Sequence, residues 1–253
     1  MPYSERQPQP EQIETKAKNR IQAGQSIIAK DGERYFLEKS LGEGGYGKVF
    51  SAINERNSMD VAIKFLRTDI GNDEAAVERA ERERRVLGKI NNPFITSTID
   101  VIRVQTKEGE QIGLVTELME GKDTEALIKK EKKEKRLLDP RRVIKIIAQM
   151  AIALESCRKA GIVHRDIKPA NIFLETFPSG EEVAKLGDFG LVGAAGRKPK
   201  VPAVQKRGQL PPKNGLTGEG SFVGSANYVS PEAIQLKPVT HQSDIYSLGL
   251  TFY

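Results

Sequence analysis

Three glycines at fixed spacing, Gly42, Gly44 and Gly47, lead into Lys48–Ile53, a run rich in β-branched and aromatic residues. That transition constrains the fold more than any other feature. A glycine triplet that opens a helix marks a dinucleotide-binding crossover, whereas one that enters a strand sits in a hairpin whose backbone can lie close over phosphates. The spacing alone is shared by many tight turns, so the rest of the chain has to decide between readings.

The flanking pattern predicts strand, glycine loop, strand, turn and strand from about residue 34 to 67, the start of a small antiparallel sheet. The periodicity then becomes helical from Asn72 to Ile90, with Asn72 or Asp73 as cap. Ala76, Ala80, Glu83, Leu87 and Ile90 recur on one face. Glu83 is the charged residue on that apolar stripe and needs a cation, for which Lys64 is the candidate. Glu78 and Glu81 share faces with arginines or Gly88 and are expected to be solvated.

Strands are predicted around 99–105 and 111–118, and a helix begins in GKDTEAL. A better marked helix follows, with Asp139 as cap, Pro140 in the first turn, apolar residues at 143, 147, 150, 154 and 157, and Gly161 as terminator. Beyond it, IVHRDIKPANIFLE and EEVAKLGDFGLV read as short strands and loops presenting polar groups.

Composition narrows the function classes. A net charge of +6 from 40 basic and 34 acidic residues is spread along the chain, so a nucleic-acid partner is not expected. The basic runs at 129–136 and 197–213 read as an exposed helix end and a loop. One cysteine makes no internal disulfide and fits a reducing, cytoplasmic setting, with Cys157 as core filler. Two histidines and one cysteine do not assemble a zinc site. Residues 1–32 read as a polar, flexible leader, and the longest apolar stretch carries Lys145 and Gln149, too polar to cross a bilayer.

The runs LGEGGYGKVF, VAIK, HRDIKPAN, DFG and SPE occur in that order, and over about residues 35 to 253 the chain resembles eukaryotic-like serine/threonine protein kinases of bacterial type. The resemblance implies an α+β bilobal fold. A small antiparallel sheet with one helix would form an N-lobe over 33–118, and a mostly helical C-lobe would occupy 119–253.

The resemblance implies Mg·ATP as phosphate donor and a protein serine or threonine hydroxyl as acceptor. It assigns Leu41, Gly42, Gly44 and Gly47 to the loop over the nucleotide, Val49 and Ala62 to the roof of the adenine pocket and Phe173 to its floor. Thr116 would sit at the back of that pocket, with Glu117 and Met119 as hinge. Asp123 would accept from the ribose, although an aspartate there can equally cap the next helix. Lys64, steadied by Glu83, would contact phosphates. Asp166 is the implied catalytic base, Lys168 neutralises the transferring group, and Asn171 and Asp188 offer oxygens to Mg²⁺. His164 would pack beneath this loop against Phe189.

Arg165 beside the base implies control by activation-loop phosphorylation, with Ser221 or Thr217 as acceptor and self-association as the route to trans-autophosphorylation. Ser225 would bond the catalytic Asp and Lys. The SPE run replaces the commoner APE. The chain ends inside the helix that carries Asp244, so it reads as part of a longer kinase in which Glu232 would meet an arginine. Three alternatives stay open: a pseudokinase acting as a binding module, a small-molecule phosphotransferase, and a nucleic-acid-binding module.

Overall fold

The computed structural model describes residues 21–44, 47–67, 74–107, 109–189, 226–235 and 237–253. Within them, strands β1 (Gln25–Ile28), β2 (Arg34–Gly44), β3 (Gly47–Asn54) and β4 (Met59–Leu66) precede helix α1 (Glu74–Leu87). Strands β5 (Thr98–Thr106) and β6 (Gly109–Glu117) follow it. The sheet runs antiparallel in the order β1-β2-β3-β4-β6-β5.

Alternation explains why these segments are strands. In β4, Val61, Ile63 and Phe65 turn inward onto Leu37, Ala52, Ile102, Val104 and Val115, while Ala62 and Lys64 take the other face. Burying each of the larger side chains contributes about 2 kcal/mol. Phe50 meets Phe65 edge to face at 6.0 Å.

A second sheet pairs β7 (Lys122–Asp123), β8 (Ile172–Thr176) and β9 (Glu182–Leu186). The helices beside it are α2 (Thr124–Lys133), α3 (Pro140–Lys159), α4 (Pro231–Ile234) and α5 (His241–Thr251). Asp139 caps α3 by accepting from the Arg141 N–H at 3.0 Å, and Gly161 follows its end at φ 72°, as the sequence predicts. The buried face of α3 keeps Met150, Leu154 and Cys157 of the predicted stripe and departs from it nearer the start of the helix. Ile146, Gln149, Met150, Ala153, Leu154 and Cys157 are buried, whereas Val143 and Ile147 are only half-buried.

Gln149 is tolerated inside because its Oε1 accepts the Ala184 N–H at 2.9 Å. Leu87 and Ile95 from the first half of the chain enter the same core as α3, β8 and β9. The backbone joins there too: Thr96 N–H donates to Leu186 O at 2.9 Å and Leu186 N–H to Phe94 O at 2.8 Å.

Two sequence expectations are corrected. The segment 1–32, expected as a flexible leader, includes β1, and Ile21, Ile27 and Ala29 lie in the core of the large sheet. Glu81, expected to be solvated, is about one-third exposed and bonds Arg103 at 3.1 Å. Cys157 is fully buried in the core; burial, with the Asp244 carboxylate second, pushes its thiol up to about 12. The native chain should therefore resist iodoacetamide at neutral pH and take one label after denaturation, as read by mass; rapid native labelling would show the core misplaced. No described helix is long and apolar enough to cross a membrane.

Candidate active site

Strand register puts several of the predicted residues on one surface. Val49 lies opposite Gly42 and Lys64, and Ala62 lies opposite Thr116, so all five share the sheet face turned away from the apolar core. Leu41, at the bulge in β2, is exposed. Gly47 closes the hairpin at φ 146°; a Cβ there would sit 1.8 Å from Phe65 O, so a side chain is excluded without moving β4. Lys64 reaches from this face to Asp188, Nζ to Oδ2 at 2.9 Å.

The loop after α3 supplies the other wall. Asp244 on α5 is buried and accepts two backbone donors, the N–H of His164 and that of Arg165, both at 2.8 Å. Arg165 is held at φ 69° and Asp188 at φ 61°. Left-handed backbone costs a non-glycine residue about 1–2 kcal/mol, so the Asp244 clamp offsets strain in the loop it holds. His164 adds a second tie: Nδ1 accepts the Asp166 N–H at 3.3 Å, leaving Nε2–H to donate to Gly187 O at 2.8 Å. Its ring stacks edge-on to Phe189 at 4.5 Å, as expected.

Asp166 is thereby presented with its carboxylate fixed. Oδ2 accepts from Lys168 Nζ at 2.7 Å and from Asn171 Nδ2 at 3.0 Å, and the same amide group donates to Asp166 O at 2.7 Å. Asn171 is 2% exposed, and its amide nitrogen is committed to Asp166. The Asn171 backbone accepts the N–H of Gly187, the neighbour of Asp188, at 2.9 Å, and the side chains of Asn171 and Asp188 suit a hard cation, because Mg²⁺ takes amide and carboxylate oxygens. The donor set therefore fits the ion that the sequence implies.

Around the connection between the sheets, Glu117 does more than the hinge role expected of its backbone. Its Oε1 accepts the Ser97 N–H at 2.7 Å and its Oε2 accepts from Lys185 Nζ at 2.9 Å. Lys185 also lies 3.1 Å from Glu175 Oε2, a charge contact without hydrogen-bond alignment. Burial works against the Lys185 charge, but the two carboxylates, Glu117 first, outweigh it and raise the ammonium above its ordinary value. Sequence reading missed Lys185 and Glu175, which no motif marks.

Asp123 caps α2, its Oδ1 accepting the Ala126 N–H at 2.7 Å. Phe173, opposite Asp123 and Lys185, packs over Gly187, where a Cβ would fall 2.7 Å from its ring. Met119 is half-buried, and Arg165 is exposed. Glu232 accepts the Ser243 hydroxyl, which holds its carboxyl below the usual range. The Glu83 side chain and residues Thr217, Ser221 and Ser225 lie outside the described residues.

Comparisons with known proteins bear on the family and the fold. The family model described as protein kinase domain matches residues 35–253. The serine/threonine-protein kinase pkn3 of Myxococcus xanthus is 30% identical over 220 residues, 87% of this chain and 37% of that protein. PknA of Mycobacterium tuberculosis is 31% identical over 221 residues, covering 87% and 46%. The chain thus spans less than half the length of these relatives. Among solved structures, the PknI kinase domain of Mycobacterium tuberculosis superposes with a TM-score of 0.65 at 22% identity, over 92% of this chain and 75% of that one.

Proposed function

The chain belongs to the protein kinase family, and from that premise we propose that it transfers the γ-phosphate of Mg·ATP to serine or threonine hydroxyls of protein substrates. The observation that carries this reading is the Asp166 carboxylate, gripped by Lys168 and Asn171 in a loop that His164 ties to Gly187, the neighbour of the Asp188 that pairs with Lys64. Bound Mg·ATP would supply an activated phosphoryl group whose charge grows more diffuse in the transition state.

The chain's own residues then do the positioning. The glycine hairpin would lie over the phosphates, and Lys64 would balance their charge. Asn171 Oδ1 and Asp188 would hold the metal, while Val49, Ala62 and Phe173 bracket an adenine that the backbone near Glu117 and Met119 can hydrogen-bond. The second Asp123 oxygen remains for a ribose hydroxyl. Asp166 orients the acceptor hydroxyl and takes its proton; Lys168, already at the carboxylate, would neutralise charge on the transferring group. We place the lobe boundary at residues 118 and 119, and assign Thr217 or Ser221 as the phosphorylated control site read by Arg165, reached in trans between two copies.

The acceptor class is tested by incubating the chain with γ-labelled Mg·ATP and a generic basic protein, then hydrolysing the product to its phosphoamino acids. Label on phosphoserine and phosphothreonine is expected. Label confined to phosphotyrosine, or to small molecules only, would overturn the assignment.

A further inference from the structure

The family match begins at residue 35, yet the structure continues the sheet upstream of it. Strand β1 pairs with β2 from Gln25–Leu37 to Ile28–Arg34, and the next residues cross to the opposite edge of the sheet. Ala29 bridges Val104 of β5, and Lys30 N–H donates to Arg103 O at 2.8 Å. The two edge strands are joined, and Ile21, Ile27 and Ala29 fill the interior that this closure creates.

A chain of charges starts at that closure. Lys30 pairs with Glu110 on β6; Glu110 Oε1 lies 3.3 Å from Arg103 Nη1; and Arg103 Nη2 lies 3.1 Å from Glu81 Oε1 on α1. Arg84, also on α1, sits 3.8 Å from Asp100 of β5. Glu81 is two residues from Glu83 on the same helix, so whatever fixes Glu81 fixes the height and rotation at which α1 presents Glu83. Exposed ion pairs are weak one by one, but here backbone hydrogen bonds place the first members, so less side-chain freedom is lost in forming the rest.

We propose that residues 21–33 form a positioning element for α1, acting through Lys30, Glu110 and Arg103 on Glu81, with Arg103 as the positioning residue at the junction. The proposal rests on the kinase reading for its effect on catalysis, because α1 carries the residue assigned to steady Lys64. It does not rest on that reading for its effect on the helix. Removing the Arg103 charge should loosen α1 against β5 while leaving the nucleotide surface of β3 and β4 intact. The consequence is a split between turnover and ATP affinity, which a general loss of stability would not produce.

The test compares the full chain with Arg103→Gln, Arg103→Lys, Lys30→Ala and the charge exchange Glu81→Arg with Arg103→Glu. Amide exchange of Glu74–Leu87, kcat, KM for ATP and the thermal midpoint are measured for each. Arg103→Gln should speed exchange in α1 and lower kcat about fivefold, with KM for ATP within about twofold of the parent. Arg103→Lys and the charge exchange should recover most of the loss, and Lys30→Ala should move both readings in the same direction by less. Unchanged α1 exchange and kcat in Arg103→Gln would overturn the proposal, as would a loss that tracks the thermal midpoint and is not recovered by the charge exchange. If the parent transfers no phosphate, the kinase reading fails by itself and the exchange data alone decide the buttress.

Discussion

Asp166→Asn is expected to slow phosphate transfer by about 10³-fold and to leave the stabilisation conferred by Mg·ATP close to that of the parent chain. The carboxylate accepts from Lys168 at 2.7 Å and Asn171 at 3.0 Å, so its position is set by the loop rather than by substrate. An asparagine side chain has nearly the same shape and keeps one acceptor oxygen, so the loop should survive the change. What it lacks is the negative charge that orients an acceptor O–H and the capacity to take its proton. The groups assigned to nucleotide, Lys64 and Asp188, bond each other, which is why binding and turnover should separate. Steady-state kcat together with thermal shift in Mg·ATP measures both; a loss of tenfold or less, on the scale of a lost surface contact, would remove Asp166 from the chemistry.

Asp244→Ala should give the largest loss of stability. Its two oxygens each accept a backbone N–H in a site 3% exposed, and hydrogen bonds to a charged group are worth about 1.5–3 kcal/mol apiece. Truncation leaves the buried His164 N–H and the part-buried Arg165 N–H without their acceptor, and relaxation of the left-handed Arg165 offsets only part of this, for a net loss of about 3 kcal/mol. Against a typical domain stability of about 5–15 kcal/mol, that loss would leave a loosely ordered catalytic loop even in molecules that remain folded. Urea unfolding gives the magnitude. Amide exchange at His164 and Arg165 gives the location, with a uniform change across the chain as the contrary result. Asp244→Asn should cost about half as much, since one oxygen can still accept while the amide nitrogen faces a donor.

Much of the site was legible because its residues lie in short runs whose spacing carries the chemistry: Gly42 to Gly47 entering a strand, Lys64 in VAIK, Asp166 to Asn171 in one loop. Helix α3 was legible at its ends, where Asp139, Pro140 and Gly161 act locally, and less so along its length. A polar residue, Gln149, occupies a buried position that only the Ala184 backbone explains. The contacts that escaped reading join residues far apart in the chain. Lys185 meets Glu117 only once β9 is hydrogen-bonded beside the Phe94–Thr96 segment, and Glu81 meets Arg103 only once α1 lies on β5. The first strand was hidden by its neighbours: Ile21, Ile27 and Ala29 are few among polar residues, and their inward placement depends on the sheet edge they close.

The most direct test of the central claim is transfer of label from γ-labelled ATP to protein as Mg²⁺ is titrated from chelator to excess. The account predicts no transfer in chelator, a rise to saturation with added Mg²⁺, and no recovery at any Mg²⁺ concentration in Asp166→Asn. Transfer that ignores Mg²⁺, or that proceeds equally in the variant, would contradict the assignment of Asp166, Asn171 and Asp188 as one phosphotransfer centre.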